Sequence, residues 1–242
     1  GCVYKWLRNT FQAGPAAARV NDSWVSEPKR ALQEIHKAWS AIFHLWCPAQ
    51  QPAWEPFFNE FAPYIVCSDT PVLGPLTVAR VRKQLKAAAG TAASLDGWRC
   101  SEWALLPDVM LEALVSFYEA IEAGMDWPSA ATEASVTCLD KGGGGPLDVR
   151  PITVMPCCYR TWASLRYQDL GPWFQALMPP QLRGAMPEAM TDDVCWPIAL
   201  EVERDRLEGR DSILALFDRQ KCFDRLARQL CWRLLLHMGC PP

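Results

Sequence analysis

The chain has 242 residues, half of them hydrophobic, and a formal net charge of −3. That length and apolar share support a buried core in one large or two small domains and exclude a disordered chain. The slight acidity excludes a basic nucleic-acid wrapper, though local patches remain able to bind phosphate.

No apolar run reaches the about 18 residues that a spanning helix needs, and Gly1 to Leu7 lacks the layout of a signal peptide, so no membrane partner is expected. The eleven cysteines are odd in number, irregularly spaced and without a Cys-x-x-Cys. They read as reduced thiols in an intracellular protein, with nucleus and cytoplasm left open. Tryptophans are scattered through every segment, as core anchors are.

Residues 1–29 hold at most one short helix, near Tyr4 to Phe11, because Gly14-Pro15 and Asn21-Asp22-Ser23 interrupt the pattern. Pro28 opens a clearer helix in which Leu32, Ile35, Trp39, Ile42, Phe43 and Trp46 recur at three- and four-residue steps, and Pro48 stops it. Phe57, Phe58, Phe61 and Tyr64 suggest a short helix before a turn-rich connector, with a boundary near Pro71. His44 with Cys47, and His237 with Cys240, have the spacing of half a zinc site, but each lacks a partner pair and reads as core or surface residues.

Thr77 caps the next predicted helix. Val78, Val81 and Leu85 form its apolar stripe, and Arg80, Arg82, Lys83 and Lys86 lie off it. Such a basic face is either simply solvated or held against a polynucleotide backbone by the Asp96-Gly97 turn that follows. Leu105 to Gly124 is the strongest predicted helix, with Pro107 in its first turn and a broad face of Val109, Leu111, Leu114, Val115, Phe117, Tyr118 and Ile121.

Ala134 to Leu139 and Val149 to Met155 then read as a hairpin with a long, mobile tip of four consecutive glycines, flanked by Lys141 and Arg150. The tip is either a flexible turn with two surface charges or an anion cradle of triphosphate size, in which Lys141 supplies a point charge and Arg150 a fork of donors. It is not a Walker loop, since no Gly-Lys-Ser/Thr leads into a helix. Cys157 to Leu170 is helical in pattern and broken by Gly171-Pro172. Asp192 and Asp193 suit the start of a helix that reaches about Gly209, with a kink or late start at Pro197.

Ile213 to Phe217 is a short apolar run of the kind a strand buried on both faces shows, and it ends on Asp218. Leu226, Leu230, Leu234 and Met238 form the stripe of a following helix, ended by Gly239 and Pro241, for which Asp224 is a candidate cap.

Five blocks in this order over residues 76–242 resemble the reverse transcriptase domain of non-LTR (LINE-type) retrotransposons. Lys86 to Gly97 approximates a Lys-Ala-x-Gly-x-Asp-Gly block, stretched by extra small residues, and Trp127-Pro128 a permuted Pro-x-x-Trp turn. Leu139, Lys141 and Arg150-Pro151-Ile152 match a Leu-x-Lys strand end followed by Arg-Pro-Ile, and Gln181 with Gly184 a Gln-x-Gly block. Asp218-Arg-Gln-Lys221-Cys222-Phe223-Asp224 matches Asp-x-x-Lys-Ala-Phe-Asp, with Cys222 in place of Ala.

The resemblance implies an α+β fold: right-hand polymerase fingers with a partial palm, preceded by a helical extension. Its expected parts are the extension, 1–70, a fingers-like region, 71–180, with the hairpin 134–155, and the start of the palm, 181–242, with a strand 212–218 and a helix 225–238. It implies an RNA-directed DNA polymerase that adds deoxynucleotides to a primer 3′-hydroxyl by two-metal phosphoryl transfer. Asp218 would be the catalytic, magnesium-binding carboxylate. Lys141 and Arg150 would hold the triphosphate, Phe223 would lie under the incoming sugar, and Arg80, Arg82, Lys83 and Lys86 would contact nucleic acid. The implied partners are an RNA template, a DNA primer and deoxynucleoside triphosphates, with two Mg2+ ions in the complete enzyme. The family's paired-Asp strand hairpin does not follow Asp218 within the chain, and Asp192-Asp193 is a decoy for it. The fragment is therefore expected to be inactive alone. The alternative is a catalytically dead relic that only binds RNA or DNA, or serves as a structural domain.

Overall fold

The computed structural model describes residues 17–21, 23–47, 50–179, 181–184 and 189–242. The helix expected near Tyr4 to Phe11 lies outside them. In chain order the elements are β1 (Ala18–Val20), β2 (Ser23–Val25), α1 (Pro28–Phe43), α2 (Trp54–Phe61), α3 (Val78–Ala87), α4 (Cys100–Trp103), α5 (Asp108–Glu122) and α6 (Ser129–Thr132). They continue with β3 (Ser135–Asp140), β4 (Val149–Val154), α7 (Cys157–Leu177), α8 (Asp192–Leu207) and α9 (Arg228–Met238). The protein is thus a mixed α and β chain, dominated by helices. Among the described residues the strands form two antiparallel pairs, β1 with β2 and β3 with β4. Among the described residues no helix is long and apolar enough to cross a membrane.

The chain divides into two units, each built from two stretches: 1–50 with 73–168, and 51–72 with 169–242. These differ from the three contiguous parts expected, because α1 belongs with the hairpin and α2 with the C-terminal helices.

In the first unit, Thr77 accepts a hydrogen bond from the Arg80 amide at 3.3 Å and so starts α3. Val81 and Leu85, one turn apart, then point into a core shared with Leu111 and Tyr118 of α5 and with Cys157 and Leu165 of α7. Pro107 precedes α5 instead of lying in its first turn. Proline drives the residue before it out of helical backbone, so the helix cannot begin at Leu105, which is exposed. Val109 is also exposed, against expectation. It lies two residues, about 200° of helix, from the buried Leu111.

Arg166 and Glu122 lock α7 to α5. The guanidinium Nε and Nη2 each donate to the carboxylate at 2.6 Å, Nη1 donates to the Gly74 carbonyl at 2.6 Å, and the Trp162 indole adds a 2.7 Å bond to the same carboxylate.

In a separate cluster of this unit, Ile35, Trp39 and Ile42 of α1 form a stripe that packs on Val149, Cys138 and Leu147 of the second hairpin. Leu32 and Phe43, expected in that stripe, are exposed. The β3–β4 ladder runs from Ser135 opposite Val154 to Asp140 opposite Val149, within a residue of the expected limits.

The second unit gathers Trp173 and Leu177 of α7 around Cys240, with Leu235 and Met238 of α9 against them. Helix α7 continues through Gly171-Pro172, where a break was expected. Pro172 removes one backbone hydrogen bond, and the turn beyond it is retained by burial of Trp173 and Leu177. Helix α8 likewise starts at Asp192 and carries Pro197 inside it.

The expected strand 212–218 is not formed. Residues 211–218 have no regular structure and are exposed, with Ile213 at 97% and Phe217 at 94%. Neither strand pair among the described residues offers this run a neighbour, and without one its backbone groups bond to water instead of a ladder.

Helix α9 starts at Arg228, after a short 3-10 turn at Phe223–Arg225, three residues later than expected. Its N-cap is Ala227 and no side chain caps it, so Asp224 does not have that role. A repeat of four drifts about 40° per step around a helix of 3.6 residues per turn. The packing face accordingly moves to Leu235 and Met238, and Leu226 is left exposed before the helix. The helix ends in a Schellman motif, with the Gly239 amide donating to Leu236 and the Cys240 amide to Leu235. Gly239 has φ +106°, and a β-carbon there would run into the Ser68 carbonyl oxygen.

Candidate functional site

The glycine-rich tip, expected to be long and mobile, is folded into a hydrogen-bonded turn. The Lys141 amide donates to the Asp148 carbonyl at 2.8 Å, which extends the ladder one pair beyond Asp140. Asp140 Oδ1 accepts the Gly142 amide at 2.8 Å and Asp148 Oδ2 the Gly145 amide at 2.9 Å, so both acids are engaged in the turn. The Gly144 carbonyl accepts the Arg19 amide of β1 at 2.7 Å. Gly144 has φ +77°, and a β-carbon on it would fall 2.6 Å from the Trp24 ring. Glycine is required there by backbone conformation and by the indole, with no ligand needed to explain it.

Register then decides where the two cations lie. Leu139 is opposite Arg150 and Lys141 opposite Asp148, so Lys141 and Arg150 share one face of the ladder as diagonal neighbours. Such residues are separated by roughly 7 Å. The opposite face carries Val149, Cys138 and Leu147 and is covered by α1. Both cationic residues are exposed, and Asp148 is the acid on their face, with one oxygen held by Gly145.

The basic face of α3 is only partly available. Arg80 donates to the Pro75 carbonyl at 2.9 Å, and Arg82 donates to the Ala104 carbonyl at 2.8 Å and pairs with Asp108. These two arginines fix the turns around α3, while Lys83 and Lys86 are exposed. The Asp96-Gly97 turn holds the start of α7. Asp96 Oδ1 accepts the Trp98 amide at 3.2 Å, and Oδ2 accepts the Cys157 amide at 3.4 Å.

A cavity of about 570 Å³ opens beside this turn, lined by residues 89–92, Arg99, Val154 and Arg160. No acid lines it. Arg160 donates through Nη2 to the Ala92 carbonyl at 2.9 Å, and its Nε is buried without a hydrogen-bond partner. Sequence reasoning missed both arginines. Arg160 was legible as a cation one turn into a predicted helix.

Asp218 and Phe223 belong to the second unit, and Lys141 and Arg150 to the first. Asp218 is exposed in the irregular segment, and Phe223 is 86% exposed in the 3-10 turn. Among the described residues no three His, Cys, Asp or Glu side chains gather into a metal-binding group. Of the two His/Cys pairs, His44 is exposed with its Nδ1 bonded to the Ser40 carbonyl at 2.8 Å, while His237 packs edge-on to Phe58 and Cys240 is buried.

No protein-family model matches the chain, and no curated protein matches it.

Proposed function

We propose that the chain carries the fingers and the beginning of the palm of an RNA-directed DNA polymerase of the non-LTR retrotransposon type. The observation that carries this reading is the β3–β4 hairpin: Lys141 and Arg150 stand on one exposed face, beside a turn whose acids are engaged with backbone amides. A triphosphate laid along that face would meet an ammonium and a guanidinium at a spacing that suits neighbouring phosphates. The arginine-lined cavity, together with Lys83 and Lys86, supplies further positive charge for a template strand. Phe223, exposed beside Asp218 in the chain, remains the residue assigned to the incoming sugar.

Two magnesium ions would neutralise phosphate charge and activate the primer hydroxyl in such an enzyme. The residues in hand do not make that centre by themselves, since among the described residues no three His, Cys, Asp or Glu side chains gather into a metal-binding group. Chemistry would need further carboxylates next to Asp218, and the chain alone is expected to extend no primer.

Calorimetric titration with a deoxynucleoside triphosphate and, separately, with a short RNA–DNA hybrid tests the reading. Lys141→Ala and Arg150→Ala should each weaken triphosphate binding about tenfold, the loss of one charge-assisted contact. RNA binding without measurable triphosphate binding would instead favour the alternative of an inactive nucleic-acid-binding domain.

A further inference from the structure

Cys100 opens α4 and Cys157 opens α7, 57 residues apart, and their Sγ atoms lie 3.1 Å from each other. Both are fully buried free thiols, at 1% and 0% exposure. A disulfide bond is about 2.0 Å long, so the sulfurs need to approach by about 1 Å more. The α4 side can supply that movement, because α4 is a single turn of four residues between the Asp96-Gly97 turn and Pro107. The α7 side is fixed, with the Cys157 amide held by Asp96, the Thr161 hydroxyl on the Cys157 carbonyl and the Tyr118 hydroxyl on the Cys158 carbonyl.

We propose that Cys100 and Cys157 form a reversible intrachain disulfide when the protein meets a hydroperoxide. In the first step one cysteine, as thiolate, attacks a peroxide oxygen. The O–O bond breaks, the sulfur becomes a sulfenic acid, and with hydrogen peroxide the departing hydroxide is protonated to water. In the second step the other thiol attacks that sulfur, the S–S bond forms, and the sulfenic oxygen leaves as a second water. Two thiols thus lose two electrons and two protons, and the peroxide is reduced to two waters. A dithiol reverses the change.

Burial, reinforced by Cys100, pushes the Cys157 thiol above its ordinary range, so the reaction is slow in the closed core and proceeds as the α4 turn opens. The cross-link joins the chain segments that line the arginine-lined cavity. Arg99 precedes Cys100 and Arg160 follows Cys157 by three residues, so the disulfide ties together the two backbones that carry the cavity's cations. It does not depend on the polymerase reading.

The test treats the folded 242-residue chain with hydrogen peroxide, blocks remaining thiols and maps peptides without reduction. The expected product is a Cys100–Cys157 linked peptide, lighter by two hydrogens and resolved by dithiothreitol, with a thermal midpoint about 10 °C above that of the reduced protein. Cys100→Ala and Cys157→Ala should each lose both the linkage and the rise. Recovery of Cys100 and Cys157 as unlinked thiols after peroxide treatment would overturn the proposal, as would pairing of either one with Cys158.

Discussion

The β3–β4 hairpin and the segment Ser212 to Phe217 are both short apolar runs bounded by polar residues, yet only the hairpin is a sheet. The strands of the hairpin are joined by a turn that returns the chain on itself, and Val149 and Cys138 then meet Ile35 and Trp39 on α1. The segment 213–217 has neither a neighbouring strand nor a covering helix among the described residues, and its side chains face solvent. An apolar run becomes a strand through its partners. Local composition raises the tendency, and a paired backbone realises it.

Four substitutions sharpen or break that contrast. Leu85→Ala removes a fully buried side chain from the core of the first unit and should cost about 3 kcal/mol in urea unfolding, the ordinary price of a large-to-small core change. Arg166→Ala removes two charge-assisted hydrogen bonds from the half-buried Glu122 carboxylate and one from the Gly74 carbonyl, and a loss of about 2–3 kcal/mol is expected. Retention of full stability by this variant would mean that the α5–α7 pairing does not depend on this ion pair.

Tyr118→Phe deletes one hydrogen bond, about 1 kcal/mol, and changes the alkaline limb as well. Burial, with Cys158, Cys157 and Cys100 adding to it, holds the Tyr118 hydroxyl well above its usual range. The unfolded chain ionises at about pH 10 and the folded one does not. The stability this group contributes is therefore complete below about pH 10 and falls as pH rises further. The phenylalanine variant should show a shallower decline between pH 9.5 and about 11 in the same unfolding assay. Phe217→Ala, at the other extreme, should shift stability by less than about 0.5 kcal/mol. A loss there comparable to that of Leu85→Ala would show that the segment has a packed state, and the comparison would fail.

What was legible in the sequence was what neighbours in the chain decide. The Thr77 cap with the Val81 and Leu85 stripe, the hairpin limits and the Gly239 stop all follow from residues within a turn or two of each other. Distant partners decide the rest. Pro172 reads as a break until Trp173 and Leu177 are seen to be buried, and Asp96 reads as a turn residue until its carboxylate meets the Cys157 amide 61 positions later. The β1–β2 pair escaped notice because three-residue strands carry no period, and Asn21, with φ +47°, is part of the turn that looked only like an interruption. On the site, the two hairpin cations were readable from their flanking of the glycines. That they share one face needed the register, and the divided use of Arg80 and Arg82 needed the carbonyls they meet.

The contact of Trp24 with Gly144 makes the hairpin tip optically readable. An indole that is 63% exposed emits according to the water and charge around it, and this one rests on the turn between Lys141 and Arg150. Its emission, isolated from the other tryptophans by difference against Trp24→Phe, would report occupancy of the turn in real time and without a label.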